Sequence, residues 1–176
     1  MPRPGDCLIA RPQIANGFFS RSVIFLYENL PQFVSGVVLN KESRYKFSDI
    51  IKQIPLDRQP MFDLDVFYGG PVNEGSLLLL HSEDWTSANT YHTGTGLDLS
   101  SDEVMVEKLC DGNFPVDYKL IQGYSVWAPS QLAAEIDKGY WLVGQLPKSI
   151  MFDKKGDDLW KSSIEHIGEQ LVQQYF

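Results

Sequence analysis

The sequence predicts an α+β protein with a mixed, mostly antiparallel sheet, and three observations support this fold class. Short apolar runs of four to six residues lie between Gly, Pro, Asn or Asp, as is typical of strands. Helical patterns interrupt these runs irregularly, unlike the strand–helix alternation of a doubly wound sheet. Several pairs of runs are joined by connections too short for a crossover helix, which favours antiparallel pairing.

The predicted strands are rich in Val, Ile, Leu and aromatic residues. They cover residues 7–10, 23–27, 36–39, 65–68, 77–81, 118–122 and 140–143. The four consecutive leucines at 77–80 do not alternate with polar residues, which predicts a strand covered on both faces. The segment Gly94-Thr95-Gly96 predicts a hairpin turn.

Helix starts and stops are marked by residues with known end preferences. Ser100 followed by Glu103 has the form of a capping box, and Gly112 ends that segment. Pro129 fits a first helical turn and Gly139 a left-handed C-terminal position. The last predicted helix begins after Asp157 and has an apolar stripe at helical spacing: Leu159, Trp160, Ile164, Ile167 and Leu171.

Length and charge limit the classes of function. A chain of 176 residues predicts a single domain over residues 1–176, and a net charge of −8 disfavours binding to nucleic acid or to an anionic membrane. Cys7 and Cys110 belong to no C-x-x-C pair, and no pair of histidines has zinc-ligand spacing. We therefore expect buried reduced thiols, no metal and no cofactor. Without an apolar leader or membrane span, the expected location is the cytoplasm.

Four segments in register resemble the YqgE/AlgH family from about residue 5 to residue 172. They are Phe19-Ser20-Arg21-Ser22-Val23 with Gly36-Val37-Val38-Leu39-Asn40-Lys41, Gly69-Gly70-Pro71-Val72 with Leu80-His81, Gly123-Tyr124-Ser125-Val126-Trp127 with Gln131-Leu132, and Ile150-Met151-Phe152 with Leu159-Trp160. The chain departs from the family pattern at Asn29, Glu42 and Val126, where the family usually has His, Pro and Gly. The resemblance implies a branched, partly barrel-like sheet flanked by helices. It also implies the family's label of transcriptional regulator, to which no biochemical mechanism is attached.

A first group of candidate residues lies near the start of the second strand and the end of the third. Arg21 offers a planar fork of donors that suits a carboxylate or phosphate, and Ser22 is next to it. If Asn40 and Lys41 approach Arg21, the four residues would form a small anion pocket. The alternative is a structural Arg paired with Glu28 or another acid.

Two further groups are weaker candidates for ligand or partner contact. Gly69-Gly70 could expose backbone N–H groups to an anion, but the pair lacks the G-x-x-x-x-G-K-[ST] and G-x-G-x-x-G patterns, which favours a strand-connecting turn. Tyr124, Trp127 and Gln131 could face a cleft or could fix a helix on the sheet.

His81 is the one catalytic candidate, as an acid or base at a strand end, with a hydrogen-bonded structural histidine as the alternative. An enzyme acting on an anionic metabolite would need His81 within about 8 Å of Arg21, the scale of a small substrate with two hydrogen bonds.

Three functions compete. The sequence favours a non-enzymatic binding or regulatory protein that recognises another protein or a small anionic ligand around Arg21, Asn40 and Gly70. An enzyme that uses His81 and direct DNA binding are the alternatives. DNA binding is disfavoured because the chain is acidic and has no helix-turn-helix pattern.

Overall fold

The computed structural model describes residues 1–14 and 17–175. The strands, in chain order, are β1 Cys7–Ala10, β2 Val23–Asn29, β3 Val34–Val38, β4 Val66–Tyr68, β5 Val72–Ser82, β6 Thr90–His92, β7 Leu97–Ser100, β8 Tyr118–Trp127 and β9 Trp141–Gly144. The helices are α1 Phe47–Ile51, α2 Glu103–Cys110, α3 Pro129–Asp137, α4 Lys148–Asp153 and α5 Gly156–Tyr175.

The sheet is mixed and it forks at β8. Its main order is β6-β7-β5-β8-β3-β2-β1-β9, with every neighbouring pair antiparallel. The first half of β8 also pairs with β4 in parallel, through Leu120, Ile121 and Gln122. The second half pairs instead with β3, through Ser125 to Trp127. The α+β class and the branched, mostly antiparallel sheet predicted from the sequence are therefore confirmed.

Gly123 lies at the fork, where β8 changes partner. Its φ is +71°, a left-handed backbone conformation that residues other than glycine rarely adopt. A Cβ on Gly123 would lie 2.4 Å from the backbone oxygen of Gly70, and a Cβ on Gly69 would lie 2.4 Å from the backbone oxygen of Gly123. The two glycine segments therefore pack backbone against backbone, which lets β4 end beside the bend in β8.

The helices cover the sheet on both faces. Helices α4 and α5 pack on one face through Met151, Leu159, Trp160 and Ile167, together with residues from both halves of the sheet. On the other face, α1 and α2 cover the half that contains β4, β5 and β8, whereas α3 covers β1, β2 and β3. Alternation along paired strands sets these faces, since a strand's successive side chains point to opposite sides.

The predicted strands are present, but β6 and β7 were not predicted. Strand β6 is short and largely exposed. In β7, Asp98 and Ser100 alternate with two leucines, so neither strand has the apolar run from which strands were predicted. The hairpin predicted at Gly94 to Gly96 joins these two antiparallel strands, as expected. Strand β5 also begins at Val72, before the predicted leucine run.

Two predicted helix caps were wrong, whereas Pro129 and Gly139 occupy the predicted positions at the two ends of α3. The cap of α2 is Asp102, whose side chain accepts a hydrogen bond from the Met105 backbone N–H at 2.7 Å. Ser100 cannot cap it because it is the last residue of β7. Asp157 lies inside the first turn of α5, where its charge is still favourable.

Both cysteines are free and buried, as predicted. Burial raises the pKa of Cys7 to about 12, which keeps it an unreactive thiol. Within the described part of the chain, no helix has the length and apolar character needed to cross a membrane.

The close packing at the fork gives a first test. Gly123→Ala should lower the free energy of unfolding by at least about 2 kcal/mol, because it adds left-handed strain and a clash with the Gly70 backbone. Urea denaturation measures the change. Gly75→Ala is the matched control, since a Cβ there meets nothing within 4 Å, and it should stay within about 0.5 kcal/mol of the unchanged protein. Equal effects of the two substitutions would contradict the packing argument.

Candidate functional site

The chain segments that carry the first candidate group meet beyond the end of β3. Asn40 follows β3, Arg21 and Ser22 precede β2, and Gly156 begins α5. The approach of Asn40 to Arg21 that the sequence analysis considered therefore occurs. The side chains do not form an open anion pocket there, because they are hydrogen-bonded within the protein.

Asn40 is buried, with an exposed fraction of 6%, and its amide is fully engaged. Its Oδ1 accepts a hydrogen bond from the Val23 backbone N–H at 2.9 Å. Its Nδ2 donates to the backbone oxygens of Arg21 at 2.8 Å and Gly156 at 3.0 Å. One side chain therefore joins the end of β3, the start of β2 and the start of α5, and it has no donor left for a ligand.

Arg21 has a surface partner on α5. Its Nη1 lies 2.7 Å from Oδ2 of Asp157, with more than half of each side chain exposed. Its guanidinium also lies over the ring of Trp160, 5.4 Å from the centroid. The structural alternative for Arg21 is therefore observed, with Asp157 rather than Glu28 as the acid. An exposed pair of this kind contributes only about 0–1 kcal/mol.

Ser22 and Lys41 are also engaged with the backbone. Ser22 is fully buried, and its hydroxyl donates to the backbone oxygen of Phe19. Lys41 donates from Nζ to the backbone oxygen of Ser20 at 2.6 Å, and burial lowers the pKa of Lys41. Both residues therefore fix the loop that leads into β2.

The Gly69-Gly70 pair takes part in close backbone packing. Both residues are buried, and the Gly69 N–H donates to the backbone oxygen of Gln122 at 2.8 Å. The Gly69 oxygen accepts from the Ser125 hydroxyl at 3.0 Å. With the close approach to Gly123, these contacts bear out the strand-connecting interpretation.

The third candidate group is divided between different surroundings. Tyr124 packs with the core under α4 and α5, whereas Trp127 packs with the core under α3 and stacks on Phe19 at 5.6 Å. Gln131 is exposed on α3, and its Nε2 donates to Glu135 at 3.2 Å. The three side chains therefore do not form one cleft.

His81 is fully buried, and both of its ring nitrogens have partners. Nδ1 lies 2.8 Å from the backbone oxygen of Ser82, and Nε2 lies 2.8 Å from the Ser100 hydroxyl. Burial lowers the pKa of His81, which favours the neutral ring. His81 packs edge-on against Trp85, in the core under α1 and α2, whereas Arg21 contacts Trp160 on the other face. The arrangement gives no support to joint catalysis by His81 and Arg21.

The sequence analysis missed Lys119, the second residue of β8. It is 4% exposed, and its Nζ donates to the backbone oxygens of Leu39 at 2.8 Å and Lys154 at 3.0 Å. The nitrogen also lies 4.5 Å from the centroid of the Phe67 ring. Among the described ion pairs, none involves Lys119. Burial lowers the pKa of Lys119 to about 7.

Lys119 lines an open groove of about 430 Å³ between β4, β8 and the link from α4 to α5. Apolar walls come from Leu64, Phe67, Val116, Tyr118, Leu120 and Phe152. The charged residues of the lining are Asp65, Asp117, Lys119, Asp153, Lys154 and Lys155. Lys155 is already paired with Glu42 at 3.3 Å and Asp65 at 3.5 Å. Lys119 and Lys154 are therefore the two lysines of the lining that have no acid partner among the described ion pairs.

Alternation along β8 could have revealed Lys119. In the predicted strand 118–122, Lys119 and Ile121 point to the same face, so a strand with a buried Ile121 also buries the lysine. The groove itself could not be predicted in this way, because it also needs the carbonyl of Lys154 from a distant segment.

In the described residues, 1–14 and 17–175, no group of three or more His, Cys, Asp or Glu side chains is placed to hold a metal ion. The candidate site is thus a groove beside the forked sheet with the buried Lys119 in its lining, and the chain is of the α+β class built around that sheet.

Comparison with known proteins identifies the family. Residues 7–172 match the AlgH-like family, and the chain belongs to it. A UPF0301 protein of Methylococcus capsulatus is 28% identical over 168 residues, covering 95% of this chain and 92% of the relative. A UPF0301 protein of Cereibacter sphaeroides is 30% identical over 171 residues, covering 96% and 93%. The names of these relatives state no biochemical activity.

Solved structures agree with the fold. The solution structure of the AlgH protein from Pseudomonas aeruginosa is similar with a TM-score of 0.81 and 26% identity, over 94% of this chain and 88% of that one. The crystal structure of the protein DIP2367 from Corynebacterium diphtheriae has a TM-score of 0.73 and 24% identity, over 94% and 87%. At 24% identity, the similarity to the Corynebacterium diphtheriae protein shows the fold alone.

The engaged amide of Asn40 gives a stability test. Asn40→Ala should lower the free energy of unfolding by about 2–4 kcal/mol, since it leaves buried backbone groups without partners. Chemical denaturation measures the loss. Gln131→Ala, which removes only an exposed contact on α3, should cost no more than about 0.5 kcal/mol. A small loss at Asn40 would mean that its amide is dispensable.

The buried amine gives a pH test. Between about pH 7 and pH 10, folded Lys119 releases its proton while the unfolded chain keeps it, so the stability of the protein relative to Lys119→Met should rise with pH. The slope cannot exceed about 1.4 kcal/mol per pH unit. Guanidinium denaturation of both proteins at about pH 6.5, 8 and 9.5 measures it, and groups common to both cancel in the difference. A constant difference would show that Lys119 titrates as an ordinary lysine.

Proposed function

We propose that this AlgH-like chain is a non-enzymatic binding protein that recognises an anionic group in the groove beside Lys119. The group belongs to a small molecule or to another protein. The observation that carries this proposal is a buried lysine, with no acid partner among the described ion pairs, in the lining of an open groove. A buried ammonium is costly, and an anion beside it would offset part of that cost.

The groove also has a second positive group for such a ligand. Lys154 is exposed at the same groove and takes part in none of the described ion pairs, whereas Lys155 is neutralised by Glu42 and Asp65. The carboxylates of Asp117 and Asp153 also line the groove, so a ligand with several negative charges would be repelled. A ligand with one anionic group therefore fits best.

The groove replaces the site that the sequence favoured. The side chains of Arg21 and Asn40 are engaged with Asp157 and with the backbone, and Gly70 packs on Tyr124 and Ser125. The proposal keeps the predicted class of function, binding of an anionic ligand or partner, and assigns it to the groove lined by Lys119, whose Nζ donates to the backbone oxygen of Leu39.

A partner protein would also gain from exposed apolar residues. Val116, which lines the groove, is 80% exposed, and Phe62, which is 54% exposed, has its ring beside that of Phe114, which stacks on Tyr118 of the groove lining. Exposed apolar groups that lie together favour protein contact. A regulatory role of this chain would therefore act through a protein or a ligand. Direct contact with DNA is disfavoured by the net charge of −8.

Nuclear magnetic resonance titration with a panel of carboxylates and phosphates tests the proposal. Binding should shift the backbone amide signals of residues 116–120 and 153–155, which line the groove. Lys154→Gln should weaken binding by about threefold to tenfold, as expected for one partly exposed charged contact.

The matched control is Lys161→Gln, which removes one exposed charge from α5 outside the groove and should leave the affinity unchanged. Shifts that cluster around Arg21 and Asp157, or no saturable shifts with any compound, would overturn the assignment of the groove.

A further inference from the structure

We propose that the protein has a second ligand site, a cavity that binds a phosphate monoester with a small apolar body. The cavity lies between the segment before β1, the turn that joins β6 to β7, and the link from β9 to α4. Its volume is about 510 Å³, within the range of roughly 300–1,000 Å³ that is usual for small-molecule sites. It shares no lining residue with the groove beside Lys119, so this inference is independent of the proposed function.

The charge of the cavity lining points to an anionic ligand. Among the described lining residues, the charged ones are Arg3 and Lys148, and both are positive. Neither takes part in a described ion pair. In a chain with a net charge of −8, a concave surface lined by positive charges alone attracts anions that the rest of the protein repels. The groove beside Lys119 differs, because Asp117 and Asp153 also line it.

The acid closest to Arg3 in sequence belongs to the turn that positions this arginine. Oδ2 of Asp6 accepts a hydrogen bond from the Arg3 backbone N–H at 2.9 Å, and the Asp6 backbone N–H donates to the Arg3 oxygen at 3.0 Å. Asp6 lines a different cavity, together with Ile136 and Val143. The turn therefore fixes the backbone of Arg3 and leaves its guanidinium without an acid partner among the described ion pairs.

The walls of the cavity are held together by contacts within the protein. The Pro2 backbone oxygen accepts a hydrogen bond from Nδ2 of Asn29 at 2.7 Å, and the Gly5 N–H donates to the Leu26 oxygen at 2.8 Å. A Cβ on Gly5 would lie 2.9 Å from Cγ2 of Thr95, so the first segment packs directly against the turn between β6 and β7. A cavity with fixed walls binds a ligand at a lower cost in ordering.

The donors and the apolar part of the lining select the class of ligand. Arg3 offers a planar fork of N–H groups, Lys148 a compact positive charge, and Gln145 an uncharged amide donor. This set suits a phosphate monoester, which has three terminal oxygens and carries about −1.5 to −2 charges near pH 7. Leu97 and Met151, which are 4% and 3% exposed, line the same cavity and favour an apolar group on the ester.

Nuclear magnetic resonance titration of the folded full chain with phenyl phosphate at about pH 7.5 tests the inference. Saturable shifts are expected in the backbone amide signals of residues 3, 5, 94–97 and 145–148. Arg3→Gln and Lys148→Gln should each weaken binding by about threefold to tenfold, because each removes one exposed charged contact. The matched control is Lys161→Gln on α5, which should leave the affinity unchanged.

Two simpler anions test the two halves of the ligand. Benzoate has a similar ring but only one negative charge, and inorganic phosphate has the charge without the ring. Each should bind in the cavity at least about threefold more weakly than phenyl phosphate. Equal affinities of benzoate and phenyl phosphate, no saturable shift in the cavity, or full affinity in a variant with both Arg3→Gln and Lys148→Gln would overturn the inference.

The signals of residues 116–120 report on the other groove and separate this inference from the proposed function. Saturable shifts confined to those residues would overturn the cavity site and leave the proposed function standing. If phenyl phosphate saturates the cavity while no carboxylate or phosphate shifts the groove, the cavity site stands and the proposed function falls.

Discussion

The polar groups at the end of β3 hold the rest of the structure in register. The Leu39 oxygen accepts from Lys119 on β8, and the Asn40 amide joins the segment before β2 to the first residue of α5. Four segments that are distant in sequence therefore meet at two consecutive residues. Each bond is ordinary in strength, but buried groups that lose their partner are costly, so the set acts together. The groove exists because these bonds fix β8 and the link from α4 to α5 on either side of it.

This junction also explains why residues with ligand-binding chemistry do not form the site. Arg21 and Asn40 have the donors that an anion needs, yet the protein itself supplies their acceptors: Asp157 and two backbone oxygens. Lys119 differs, because the groups around it are neutral carbonyls and an aromatic ring. A positive charge in such surroundings is hydrogen-bonded but not neutralised. That difference in neutralisation, more than residue type, separates the structural side chains from the candidate functional one.

The sequence predicted the elements with strong apolar runs and failed where polar residues are buried. Strand β1 was predicted with its observed bounds, and the meeting of Asn40 with Arg21 was considered before the fold was known. Strand β7 was missed because Asp98 and Ser100 are buried in a strand pattern that looks polar. Lys119 was missed for the same reason, since a lysine is almost never fully buried and was not considered for the core. The groove depends on the position of Lys154, which only tertiary packing decides.

The fork at β8 has a consequence for the order of synthesis. Strand β3 ends at Val38, yet its second neighbour, the later half of β8, ends at Trp127, and the outer neighbour of β1 ends at Gly144. During synthesis on the ribosome, the sheet formed by β1, β2 and β3 therefore has unpaired edge strands until most of the polypeptide has emerged. Sheets with such distant pairings form slowly, and unpaired edges invite association with other nascent chains. Strand β8 pairs with β3, β4 and β5, so its synthesis removes most of these unpaired edges, and β9 then covers the free edge of β1.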